Sequence, residues 1–150
     1  YEIKKLGYLI KLDTNGSNPE LLKELVSLNL VDYVAMDIKN SLNAYNKTIG
    51  LENFNDSSIL ESINYLLNGD VDYEFRTTLV REFHDEDEIR EIAKIISGAK
   101  RYYLQKFKNS EQCINHNLHE VPLKEALRYK NILLPYINKV ELRGYDIEEK

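Results

Sequence analysis

The sequence contains one cysteine, Cys113, so no intrachain disulfide can form, and a reducing cytosol is the default compartment. No apolar run approaches the roughly 18 residues a membrane helix needs, and no signal-peptide pattern opens the chain. Positive charge is not in excess: the formal net charge is −5, which repels phosphate backbones and argues against nucleic acid as a partner. No tandem repeat or low-complexity tract is visible. What is there is ordinary for a globular protein, with 43% hydrophobic and 30% charged residues. A length of 150 residues suits a single domain spanning 1–150, large enough to bury a real core.

Strand and helix signals alternate along the chain. Tyr1 to Gly7 reads as the last turns of a helix, with Lys4 and Lys5 near its C-terminus and Gly7 just past it. It has no initiator Met and no N-cap, so a preceding N-terminal part is expected. Tyr8 to Leu12 reads as a strand ending in Asp13-Thr14-Asn15-Gly16. Asn18 and Pro19 then open a helix with Leu21, Leu22, Leu25 and Val26 on one face. Val31 to Ile38 is a second strand. Residues 40–55 read as a polar, Asn-rich connection that includes Tyr45 and Gly50, and Ile59 to Leu67 as a helix. Tyr73 to Val80 is a third strand, rich in aromatic and β-branched types, and Asp85 caps an amphipathic helix through Ile96. Arg101 to Phe107 is a fourth strand. Lys108 to Val121 is a loop, Pro122 opens a helix carrying Leu123, Ala126, Leu127, Leu133 and Leu134, and Lys139 to Arg143 is a short last strand. This order implies an α/β fold with parallel strands and crossover helices, whose sites lie at the C-terminal strand ends.

Those strand ends carry charge. Side chains two apart share a strand face, so Lys11 goes with Asp13, Asp37 with Lys39, and Glu74 with Arg76 and Thr78. Tyr103, Gln105 and Phe107 form a fourth set. Taken singly, each is most simply a capping or salt-bridge residue. Taken together they suit a site for a zwitterion or an ion, because unpaired charges are costly in a dry core. Cys113, His116 and His119 have metal-ligand chemistry, but structural zinc usually takes four ligands at recognisable spacing, so a chance grouping in a polar loop is the preferred reading.

Leu12-Asp13-Thr14-Asn15-Gly16, Ala35-Met36-Asp37-Ile38-Lys39 and Phe75-Arg76-Thr77-Thr78, in that order and spacing, resemble the radical S-adenosylmethionine (SAM) activases of glycyl-radical enzymes. Within them the resemblance is to activating proteins of anaerobic ribonucleoside-triphosphate reductase, and Tyr103-Leu104-Gln105-Lys106-Phe107 fits that branch. The resemblance implies a parallel (β/α) partial barrel of radical SAM type, here lacking its first strands. It implies SAM and a [4Fe–4S] cluster as cofactors, reductive cleavage to a 5′-deoxyadenosyl radical, and hydrogen abstraction from a glycine of the partner. A flavodoxin or ferredoxin is the implied electron donor. The matching positions place Asp13, Thr14, Asn15, Asp37, Lys39 and Arg76 at the SAM site, with Asp13, Thr14 and Asp37 beside a monovalent cation.

Two departures stand out. The family's Cys-x3-Cys-x2-Cys and Gly-Gly-Glu motifs are absent, so any cluster ligands lie outside this chain, and the chain alone is expected neither to hold a cluster nor to activate a partner. Phe107 also stands where some activases have a histidine. Two rival readings are a phosphoacceptor receiver domain using Asp13, Asp37, Thr78 and Lys106, and a non-catalytic interaction module on the same fold.

Overall fold

The computed structural model describes residues 1–52, 54–111, 113 and 115–146. A short α1 (Glu2–Lys5) leads to β1 (Lys11–Thr14), α2 (Pro19–Ser27), β2 (Tyr33–Asp37), α3 (Leu42–Ile49), α4 (Ser57–Asn68), β3 (Asp72–Leu79), α5 (Glu86–Ile95), β4 (Tyr102–Lys106), α6 (Leu123–Leu133) and β5 (Val140–Arg143). The strands form one five-stranded sheet in the order β1-β2-β3-β4-β5, every pair parallel. A chain that always moves to the next strand by the same-handed crossover lays its helices on one face, which is how an open part-barrel is built.

The core shows that arrangement. Val34, Met36, Tyr73, Phe75, Leu79, Tyr102, Leu104 and Val140 alternate along the strands and join one buried cluster. The same cluster contains Leu22 of α2, Tyr45 of α3, Ile59, Ile63 and Leu66 of α4, Ile89 and Ile92 of α5, and Tyr129 and Leu133 of α6. The other strand residues, from Lys11 and Asp13 to Glu74, Arg76 and Arg143, face away from these helices. One sheet face is therefore apolar and covered, the other polar and open.

Helix starts follow the sequence signals. Asn18 accepts from the Leu21 N–H at 3.1 Å, and Asp85 accepts from Asp87 and Glu88 at 3.0 and 2.9 Å. The connection read at 40–55 is corrected: it contains α3, capped by the Ser41 hydroxyl and closed by Gly50 at φ 73°. Tyr45 and Ile49 face the core from it, which the intervening asparagines disguise. The first strand also lies further along than Tyr8 to Leu12, because the ladder to β2 pairs Lys11 with Tyr33 and Thr14 with Met36. Tyr8 and Leu9 stay exposed, and so does Leu134, which caps α6 from outside rather than sharing its buried face. No helix among the described residues is long and apolar enough to cross a membrane.

The receiver reading is overturned by the topology. Doubly wound receivers order their strands 2-1-3-4-5 with helices on both faces, whereas this sheet is sequential. Lys106 alternates to the helix side of β4 and pairs with Glu120 at 3.0 Å, away from Asp13 and Asp37.

Candidate functional site

Parallel pairing brings the charged residues of three adjacent strands together on the open face. Asp13 lies beside Ala35, and Asp37 beside Arg76. The small Ala35 side chain leaves room for Arg76 to reach both carboxylates. Its Nη1 is 3.1 Å from Asp13 Oδ1 and its Nε 2.9 Å from Asp37 Oδ1. Lys39 Nζ sits 3.1 Å from the other Asp37 oxygen. Arg76 is the covered member, its side chain 14% exposed, while Asp13 and Lys39 remain 63% and 43% exposed. The guanidinium thus organises the cluster from beneath, and the Asp13 carboxylate and the Lys39 ammonium, each already paired within it, are exposed at its rim.

A second set of charges supports the first from further down the strands. Glu74 is buried, and Arg143 of β5 grips it bidentately at 2.8 and 2.9 Å. The Tyr33 hydroxyl donates to it at 3.0 Å, and Lys11 stands 3.9 Å away, also 3.7 Å from Asp13. Arg143 lies over the Tyr103 ring at 3.3 Å, which holds the guanidinium flat against the sheet. Burial alone raises the Glu74 carboxyl, but the bonds from Arg143 and Tyr33 with the charges of Arg143 and Lys11 outweigh it and hold the group below its usual range. Sequence reasoning grouped Glu74 with Arg76 and Thr78, and Tyr103 with Gln105 and Phe107, but did not single out Arg143 or Tyr33. The available signal was the period of two, which puts Arg143 on one face with Glu141 and Tyr33 on one face with Asp37.

The other expected residues divide. Asn15 and Lys39 line one cavity of about 260 Å3 beside the cluster, together with Ser17, Tyr45, Phe54 and Ile59. Its wall is the stacked pair Tyr45 and Phe54, with centroids 5.4 Å apart. Lys39 therefore belongs both to the charged cluster and to the cavity mouth. Asn15 spends its carbonyl on the Ser17 N–H at 3.0 Å. Thr14 alternates to the side opposite Asp13, where its hydroxyl accepts from Gly16 N–H at 3.0 Å. Thr78 takes a 3.4 Å bond from Gln105.

The residues present suit a zwitterionic ligand: the exposed Asp13 carboxylate can meet an ammonium, and Lys39 can meet a carboxylate. Asp13 and Asp37 also offer hard oxygens to a cation, but Arg76 now stands between them. Among the described residues no group of three or more His, Cys, Asp or Glu is placed to hold a metal ion. His119 pairs instead with Glu82 at 2.6 Å, and the Cys113 thiol lies near Ser110 and the Lys108 carbonyl. Iron–sulfur clusters take several thiolates, and one cysteine does not fit one.

No family model matches the chain. Over 146 residues the chain is 30% identical to a Methanocaldococcus jannaschii protein named "putative glycyl-radical enzyme activating enzyme". That alignment takes in 93% of this chain and 60% of the relative, so the chain spans about three-fifths of the relative's length. Among solved structures, a domain of pyruvate-formate lyase-activating enzyme from Bacteroides vulgatus superimposes with a TM-score of 0.75. That match covers 95% of this chain and 86% of the other at 16% identity, and shows the fold alone. The chain is a homologue of a protein named as a glycyl-radical enzyme activating enzyme, with the α/β fold found in a domain of a pyruvate-formate lyase-activating enzyme.

Proposed function

We propose that this chain is the C-terminal portion of a radical SAM activase, which generates a glycyl radical on a partner enzyme. The observation that carries the reading is the arrangement of Arg76 between Asp13 and Asp37 with Lys39 alongside, on the open face at the C-terminal ends of adjacent parallel strands. Oppositely charged groups at that rim match the amino-acid end of SAM, and the Asn15–Lys39 cavity adds apolar wall beside them. SAM supplies the radical chemistry when bound. The residues of this chain bind it, orient it and limit the access of water. Asp13, Thr14 and Asp37 are the residues proposed for a monovalent cation, as the resemblance implies. The ligands of a [4Fe–4S] cluster would come from outside this chain.

The proposed partner is an anaerobic ribonucleoside-triphosphate reductase, because the three strand-end motifs and the Tyr103–Phe107 segment fit that branch. A flavodoxin or ferredoxin is the proposed electron donor, and the cytoplasm the proposed compartment. Sedimentation of the chain with an anaerobic ribonucleotide reductase, and separately with a pyruvate formate-lyase, tests the partner. A complex with the reductase alone is expected. A complex only with the lyase would replace the partner, and binding to neither would remove the activase reading of this surface.

A further inference from the structure

The chain leaves the β2 ladder at Asp37 but does not become a free loop. Ile38 N–H donates to the Arg76 carbonyl at 2.8 Å. The Ile38 carbonyl accepts from Thr77 Oγ1 at 2.6 Å, and that oxygen in turn receives the Tyr102 hydroxyl at 2.6 Å. At the next residue both backbone groups are held by side chains. The Lys39 N–H donates to Tyr45 Oη at 3.3 Å, and the Lys39 carbonyl lies 2.9 Å from His84 Nε2. Tyr45 and His84 are 1% and 3% exposed, so neither is a surface residue making a casual contact.

The orientation of His84 is fixed from its other side. Nδ1 lies 3.0 Å from the Val80 N–H and 3.1 Å from the Val80 carbonyl; that carbonyl already accepts the Phe83 and His84 N–H groups, so Nδ1 is assigned as the acceptor of the Val80 N–H. The proton of the neutral ring then sits on Nε2, aimed at the Lys39 carbonyl. The opposite tautomer would set a lone pair against that carbonyl and leave the Val80 N–H unmet. Burial favours the neutral ring and holds His84 below its usual range, although the nearby Lys39 and Val80 carbonyls act the other way. Neighbouring elements brace it further: Tyr129 donates to the His84 carbonyl at 2.9 Å, and Asn40 Nδ2 donates to the Phe83 carbonyl at 2.7 Å.

We propose that His84 is the positioning residue for Lys39, its Nε2–H fixing the Lys39 peptide so that the ammonium stays beside Asp37 at the cavity mouth. The proposal rests on Lys39 being a ligand-binding residue, as argued above. Its physical content is that β2 is prolonged by two residues through side-chain bonds, which keeps Lys39 on the same face as Asp37. Without the His84 bond the half-buried Lys39 carbonyl loses its side-chain donor, and the peptide turns to find another.

Nuclear magnetic resonance on the chain and on His84→Gln and His84→Leu tests it, with SAM as the probe ligand. Glutamine retains an N–H that can reach the Lys39 carbonyl; leucine fills the space without one. The wild-type ring should show the Nε2–H tautomer. His84→Leu should shift the Lys39 carbonyl carbon and weaken SAM binding by roughly tenfold or more, while His84→Gln keeps both near wild type. An Nδ1–H tautomer in the wild type overturns the proposal. So does an unchanged Lys39 carbonyl in His84→Leu, or a glutamine variant as impaired as the leucine one. If His84→Leu does not fold, the wild-type tautomer and the glutamine variant still decide. If the wild type does not bind SAM, the reading of the site fails, while the tautomer and the carbonyl shift judge the clamp separately.

Discussion

At the scale of single residues, Arg76 and Glu74 divide the open face between them. Arg76 carries two carboxylates through one planar group, which a lysine could not reproduce with a single point charge. Glu74 is the reverse case, one buried carboxylate receiving Arg143, Tyr33 and the field of Lys11. Its folded carboxyl is held below the usual value of 4.5. A depressed folded value means the interaction stabilises the fold above the unfolded carboxyl's range, and that contribution is lost as pH falls through the lower folded value. Glu74→Gln should therefore cost roughly 1–3 kcal/mol at neutral pH. That is less than breaking a fully buried pair, because Arg143 is 40% exposed. Denaturant midpoints measured from neutral pH to below 4.5 should converge for wild type and variant as acid removes the difference; a constant gap would count against the assignment. Asp13, Asp37, Lys39 and Arg76 were legible in the sequence from their placement at strand ends and from the motifs they share with the family the chain resembles. Arg143 was not, since it meets Glu74 across 69 residues of chain, and His84 offered no pattern at all.

Elements were legible where capping and periodicity agreed, as in α2, with Asn18 and Pro19 at its start, and in α5, which opens at Asp85. They were misread where local chemistry spoke for a loop. In α3 the asparagines argue for turns, while burial of Tyr45 beneath the strand ends and its bond to Lys39 favour a helix. The turn after β1 shows how tightly the elements meet. Gly16 has φ +76°, its carbonyl accepts from Ser62 of α4 at 2.8 Å, and an added Cβ would lie 2.0 Å from Met36 Cε. Gly98 has φ +86° with nothing within 4 Å of such a Cβ. Gly16→Ala should thus cost roughly 2–4 kcal/mol, combining backbone strain and overpacking, and Gly98→Ala only about 1–2 kcal/mol from backbone strain. Equal losses in chemical denaturation would show that Met36 yields freely and that the β1–α4 contact is looser than described.

For the molecule as a whole, sequential strand order explains the division of labour. Helices on one side bury the apolar face, and the opposite face can then carry charge without disturbing the core. The alternation of strand and helix made that architecture readable, while the pairing of charges across strands had to await the register. The account turns on the claim that the strand-end cluster is a ligand site and more than a set of salt bridges. Titration of the isotope-labelled chain with SAM, followed by amide shifts, addresses that most directly. Saturable changes at Asp13, Asp37, Lys39 and Arg76, abolished by Arg76→Ala in a variant that stays folded, are the predicted result. Changes centred on the outer α5–α6 groove around Arg90 and Tyr136, or changes at the cluster that survive Arg76→Ala, would contradict it.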